Sequence, residues 1–218
     1  GSQPVDLRCN DGKTYVVKAL RHDDPQSGRI LYNDHVVARL GAMIGAPIPS
    51  AQLVSISQEL IKLNRDPIQG MGHIRPGVSH GSRLTSGLGE RAETIENANS
   101  NKVRFASLAV LYAWMGANDR HFLYDTECRV YSVDHGNFFP GGPHWTTNDV
   151  ENAGPPKIPD DILQVCQLTN DDLAIWFARL RGVTESHTAK ILAIPPEEWG
   201  VTINERIALA KFLRRRQM

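Results

Sequence analysis

The chain has 218 residues, with 24 Lys plus Arg against 24 Asp plus Glu, so its formal charge is zero. That balance gives no support to a nucleic-acid wrapper or a polyanionic tail, and a hydrophobic share of 41% with 22% charged residues excludes a disordered chain. Three cysteines (Cys9, Cys128 and Cys166) lie far apart with no CxxC spacing, which argues against a disulfide framework or a cysteine zinc site and points to a reducing, cytoplasmic setting.

Asp11-Gly12 is a hairpin turn signal. Thr14 to Leu20 follows it, rich in β-branched and aromatic residues, and reads as a strand. Period two puts Thr14, Val16 and Lys18 on one face, with Tyr15 and Val17 on the other. A polar loop spans His22 to Arg29. A helix is predicted from Asn33 to about Met43, with Asn33 or Asp34 as its cap. Gly45 offers a left-handed stop, and Pro47 and Pro49 forbid continuation. Gln52 to Ser57 alternates as a strand, and Leu60 to Leu63 is a candidate hairpin partner.

Residues 64 to 100 are rich in Gly, Pro and Ser with little periodicity, as in a functional loop or lobe connection. Asn101 to Gly116 predicts a helix that is apolar on most faces, hence central. Its apolar run, Phe105 to Ala117, falls short of the roughly 20 residues that span a bilayer. A polar loop then leads to a strand, Arg129 to Val133, ending at Asp134-His135-Gly136. From Asp160 onward the chain reads as short helices, one of them started by Pro195-Pro196. Strands first and helices after predict an α+β fold.

Three charged residues stand out by context: Lys18 within an apolar strand, Asp119 just past a buried helix, and Asp134 at the end of an apolar strand. A polar group at the end of a buried element is held rigidly. One lysine and two aspartates suit phosphoryl transfer. The ammonium neutralises phosphates, one carboxylate holds Mg²⁺, and the other orients the attacking hydroxyl. Asp34 lies where a helix acid could hold the lysine. Each residue alone has a bland explanation: a snorkelling lysine, a turn aspartate, a first-turn helix acid. The case rests on the set and its order.

Asn118-Asp119-Arg120-His121, followed by Val133-Asp134-His135-Gly136, resembles the catalytic and metal-binding segments of the HipA-like kinases. Tyr15-Val16-Val17-Lys18 resembles their nucleotide-lysine strand. Asn33-Asp34 through Gly45-Ala46-Pro47-Ile48-Pro49 resembles their helix and its stop. His80-Gly81-Ser82-Arg83, His144-Trp145 and Ile194-Pro195-Pro196-Glu197-Glu198-Trp199 are similar to segments of the small, stand-alone branch.

The resemblance implies a two-lobed protein-kinase-like fold, shared with the phosphatidylinositol 3- and 4-kinases. A β-rich N-terminal lobe would span residues 1–64, a connecting segment 65–100, and a helical C-terminal lobe 101–218. It implies ATP and Mg²⁺, with a serine or threonine of a protein as acceptor; separately, the neutral charge and the lack of an amphipathic basic anchor count against a membrane partner, and nucleic acid is not expected. Carried onto this chain, Lys18 contacts the nucleotide phosphates, with Asp34 beside it. Asp119, followed by Arg120 and His121, is the catalytic aspartate, and Asp134 is the metal ligand. Gly1-Ser2-Gln3-Pro4 resembles part of the phosphate-binding loop.

Two positions depart from the family pattern. Tyr124 stands five residues after Asp119, where the family has a metal-binding asparagine, and a phenol is a poor Mg²⁺ ligand. Asp125, one residue on, is the candidate replacement. The helix acid is Asp34 rather than glutamate. These departures raise a second reading, a nucleotide-binding pseudokinase serving as a regulatory module, and a third is a lipid or small-molecule kinase. A metal cluster of His121, His135 and His144 matches no zinc spacing. The basic run Lys211 to Arg216 reads as a helix end whose cations suit the dipole.

Overall fold

The structure, a computed structural model, describes residues 3–64, 70–90 and 101–217. The hairpin predicted at Asp11-Gly12 forms between β1 (Val5–Arg8) and β2 (Thr14–Lys18). Gly12 takes a positive φ of 76° there, which only a glycine adopts cheaply. The alternation along β2 holds: Tyr15 and Val17 are buried, with Thr14, Val16 and Lys18 on the other face.

The next helix, α1 (Ser27–Ile44), starts well before the predicted Asn33. Asn33 and Asp34 are therefore mid-helix and buried, not caps. Polar side chains usually signal a helix start because they meet orphan N–H groups. Here they meet other elements instead. The far end of α1 matches expectation. Gly45 has φ 81°, its N–H bonds Ala42 O, and the following Ala46 N–H bonds Gly41 O.

After β3 (Ala51–Ile56) the expected hairpin partner is a helix, α2 (Gln58–Leu63). Ser57 caps it by accepting the Leu60 N–H at 3.2 Å, a stronger local signal than the short apolar run. The segment without periodicity contains β4 (Gly77–Arg83), which inserts between β2 and β3. The sheet order is β1-β2-β4-β3, antiparallel throughout, and Lys18 stands opposite His80 in the register.

One face of the sheet packs under α2 in a small apolar cluster built on Tyr15, Val17, Ile56 and Ile61. The larger core joins α1 to α3 (Asn101–Met115), which is buried nearly all round. A second hairpin follows, β5 (His121–Tyr124) with β6 (Val130–Val133). The remaining helices are α4 (Thr147–Glu151), α5 (Asp160–Val165), α6 (Asn170–Arg181), α7 (Glu185–Ala193) and α8 (Ile203–Arg215). The architecture is a mixed α/β fold, with an antiparallel sheet in the N-terminal part and helices in the C-terminal part. No helix among the described residues is long and apolar enough to cross a membrane.

Candidate active site

A cavity of about 490 Å³ opens between the four-stranded sheet and the β5–β6 hairpin. Apolar walls come from Val16 on β2, Leu84 and Leu88 after β4, and Leu123 and Val133 on the hairpin. Lys18, Asp34 and Asp134 meet at its polar end. Such a volume, with apolar walls and a few convergent polar groups, suits a small-molecule ligand.

Lys18 reaches the cavity because period two turns it away from the sheet's small core. Its Nζ donates to Asp34 Oδ2 at 2.9 Å and to Asp134 Oδ1 at 2.5 Å. An ammonium has three protons, so one donor remains. Asp34 is only 2% exposed. Burial, the largest single influence, opposes its ionisation, yet the charge and hydrogen bond of Lys18 together with the nearby His80 and His135 outweigh it and hold the carboxyl below its ordinary range. Burial likewise opposes the charge on Lys18, and Asp34 and then Asp134 outweigh it, raising its pKa. The pair is charged in the folded protein.

Asp34 also fixes the loop after β6, because its Oδ1 accepts the His135 N–H at 2.7 Å. Asp134 itself takes φ 59°, an uncommon conformation for a side-chain-bearing residue, which turns the chain sharply out of β6. Gly136 permits the close approach to α1, since a Cβ there would lie 2.8 Å from Ile30 Cγ2. Asn33 completes the brace. Its Nδ2 donates to Gly136 O at 2.6 Å and its Oδ1 accepts Trp145 Nε1 at 3.0 Å.

Asp119 stands elsewhere. It is exposed, lies between α3 and β5, and is not among the described residues lining the cavity. Its link to the segment after β6 is Asn137, whose Nδ2 donates to Asp119 Oδ2 at 3.0 Å. Arg120 pairs with Asp161 of α5 at 2.8 Å. His121 opens β5 and lines the cavity, with Glu90 3.8 Å away. Gln3 is exposed beside Pro4, which lines the cavity. Gly1 and Ser2 lie outside the described residues.

The HipA-like kinase family matches residues 2–126, more than half of the chain. The chain belongs to the HipA-like kinase family. Among solved structures, it is similar to a proinflammatory kinase of Helicobacter pylori, CtkA, at a TM-score of 0.59 and 13% identity. That likeness covers 98% of this chain and 86% of CtkA, and it shows a shared fold. No curated protein matches the sequence.

One candidate ligand of this HipA-like site is engaged elsewhere. Asp125 does not turn toward the cavity. Its Oδ1 accepts the N–H groups of Glu127 and Arg129 at 3.0 and 2.9 Å, and its Oδ2 accepts Arg129 Nε at 2.7 Å. Both oxygens serve the β5–β6 turn. Tyr124 puts its ring into the core and is 4% exposed. Sequence reasoning missed Asn137, three residues past Asp134, as the polar group next to Asp119. It also missed Asn33 as a brace.

The residues present suit Mg²⁺. Asp134 is half exposed and has one oxygen outside the lysine contact, and Asn137 has a free amide oxygen beside Asp119. These are hard oxygens and few. Mg²⁺ takes one or two protein carboxylates with waters and substrate phosphates, rather than a full protein cage. Among the described residues no group of three or more His, Cys, Asp or Glu is placed to hold a metal ion by itself.

Proposed function

We propose that this HipA-like chain is an ATP- and Mg²⁺-dependent phosphotransferase acting on a serine or threonine of a protein. The observation that carries the reading is the Lys18 ammonium held between Asp34 and Asp134 at the polar end of a nucleotide-sized cavity. The third proton of Lys18 is free for a phosphate oxygen. The apolar walls suit a base. Asp134, with Asn137, would hold Mg²⁺, which when bound neutralises charge on the phosphates.

Asp119 aligns the acceptor hydroxyl and takes its proton as the γ-phosphoryl group leaves the β-phosphate oxygen. Asn137 fixes one Asp119 oxygen and leaves the other for the acceptor. Arg120, anchored to Asp161, steadies the segment that carries Asp119. The cytoplasm is the proposed site of action, supported by an odd number of cysteines that lie far apart in sequence with no CxxC spacing. The membrane and nucleic acid are not proposed as partners.

A second reading rests on Tyr124. Its ring is in the core where the family pattern has a metal-binding asparagine, so the metal site is one ligand poorer. This favours a nucleotide-binding module with weak or no transfer. Purified protein with labelled ATP and Mg²⁺ separates the readings. Label on protein that disappears in Asp119→Ala supports the kinase. Nucleotide binding without label supports the module. No binding overturns both.

A further inference from the structure

His80 and Ser82 lie two apart on β4, and both line the cavity. The His80 Nε2 is 3.0 Å from Ser82 Oγ, and its Nδ1 is 3.3 Å from the Nδ1 of His35 on α1. His35 is fully buried, and its remaining nitrogen, Nε2, has no partner among the described residues. The three groups form a chain leading from the core to the cavity wall.

Both rings are neutral. Burial pushes His35 down to about 3 and His80 down to about 4. Each ring therefore has one N–H and one bare nitrogen, and two arrangements exist. If His35 has its proton on Nε2, a buried N–H is orphaned, His80 donates to His35, and Ser82 spends its proton on His80. If His35 has its proton on Nδ1, it donates to His80, and His80 in turn donates to Ser82. Only a bare acceptor is then left in the core. Orphaned buried N–H groups are the rarer case. Arg39, one turn along α1 from His35, adds a positive charge that acts on both rings and favours a bare lone pair there.

The second arrangement leaves the Ser82 hydroxyl proton unspent. No other partner of the Ser82 hydroxyl occurs among the described residues, so this O–H is left for what fills the cavity. We propose that Ser82 is the base-reading residue of the cleft, its hydroxyl held as a donor by the His35–His80 chain and given to a ring nitrogen of a purine. An exocyclic amine, itself a donor, cannot take that place. This rests on the nucleotide reading above and adds how the base is chosen.

The test is equilibrium binding of ATP, 1-deaza-ATP, 3-deaza-ATP and 7-deaza-ATP to the intact protein by calorimetry. Each analogue replaces one acceptor ring nitrogen with C–H. One of the three is expected to bind ~3- to 10-fold more weakly than ATP, the worth of a single hydrogen bond. Ser82→Ala is expected to bring ATP down to that level and abolish the difference, whereas Ser82→Thr keeps it. ATP and all three analogues binding alike to the unaltered protein would overturn the inference, without any variant having to fold. Failure of all four to bind would instead remove the nucleotide reading, and this inference with it.

Discussion

The two ends of the cleft are built differently. The Lys18 end is braced from four sides: β2 supplies the lysine, α1 supplies Asp34 and Asn33, the loop after β6 supplies Asp134, and β4 supplies His80. The Asp119 end is one exposed carboxylate held by one amide, with an ion pair beside it. A buried charge is tolerated only when paired, so the first end is part of the fold's stability. An exposed charge is free of that constraint. On the proposed function, the nucleotide end would thus be set by folding, and the acceptor end left open to what docks there.

The largest expected effect separates them most clearly. Lys18→Met leaves Asp34 buried without its cation. Removing one partner of a buried pair costs about 3–5 kcal/mol. Urea unfolding should show a loss of that order, together with loss of nucleotide binding. The double variant Lys18→Met with Asp34→Leu should recover much of the stability and none of the binding. A single variant as stable as the parent would mean that Asp34 is not charged in the fold.

What the sequence made legible follows the same division. Lys18 stood out because a cation inside TYVVK breaks an apolar pattern, and period two fixed its face. The stop at Gly45-Ala46-Pro47 and the apolar helix at Phe105 to Ala117 were plain because backbone chemistry and composition agree there. Asn33 and Asp34 misled: polar residues at that point read as a cap, but they reach the loop after β6, about a hundred residues away in the chain. Local rules fail most where a site recruits residues from distant segments. β4 was invisible for a related reason. Its Ser79, His80, Gly81 and Ser82 lack apolar alternation, although the first three are buried: Gly81 lies against Tyr15 and Val54 of the small core, and His80 meets His35 of α1 on the other face. Asn137 stood in the sequence three residues past Asp134, but only the turn at Asp134 brings it to Asp119.

Acid should strike the braced end first. Burial pushes His35 down to about 3, and His80 and His135 to about 4, from an ordinary value of 6.5. The unfolded chain takes up these protons near pH 6.5, while the folded chain refuses them until much lower. Stability is therefore complete above pH 6.5 and falls as pH drops toward 4, by about 1.4 kcal/mol per pH unit for each histidine. Asp34, with its lowered pKa, adds a further loss at still lower pH. Unfolding midpoints at pH 7.5, 6.0 and 5.0 should decline steadily, and His135→Gln should flatten the slope. Equal midpoints at all three would mean that the cluster is not dry.

A smaller effect tests the role of Asp125. Asp125→Asn removes the charged contact with Arg129 and weakens the turn. Its cost should be about 1–2 kcal/mol, a hydrogen-bonded charge in a partly exposed turn. Nucleotide binding in Mg²⁺ should not change, because the carboxylate faces away from the cavity. A drop in Mg²⁺-dependent binding at unchanged stability would return Asp125 to the metal site.

Asp119→Ala should have the smallest effect on the fold and the largest on transfer. The side chain is exposed and loses one hydrogen bond, so unfolding should shift by no more than about 0.5 kcal/mol. Nucleotide affinity should hold, since Lys18, Asp34 and Asp134 are untouched. Phosphotransfer should fall by about 10²- to 10⁴-fold, the range for losing a positioned proton acceptor. Asn137→Ala offers the intermediate case: Asp119 keeps its charge and loses its anchor, so turnover should fall less, while nucleotide affinity in the absence of metal stays the same. If Asp119→Ala weakens nucleotide binding as much as Lys18→Met does, the two ends are one unit, and the division between a folded nucleotide site and an open acceptor site fails.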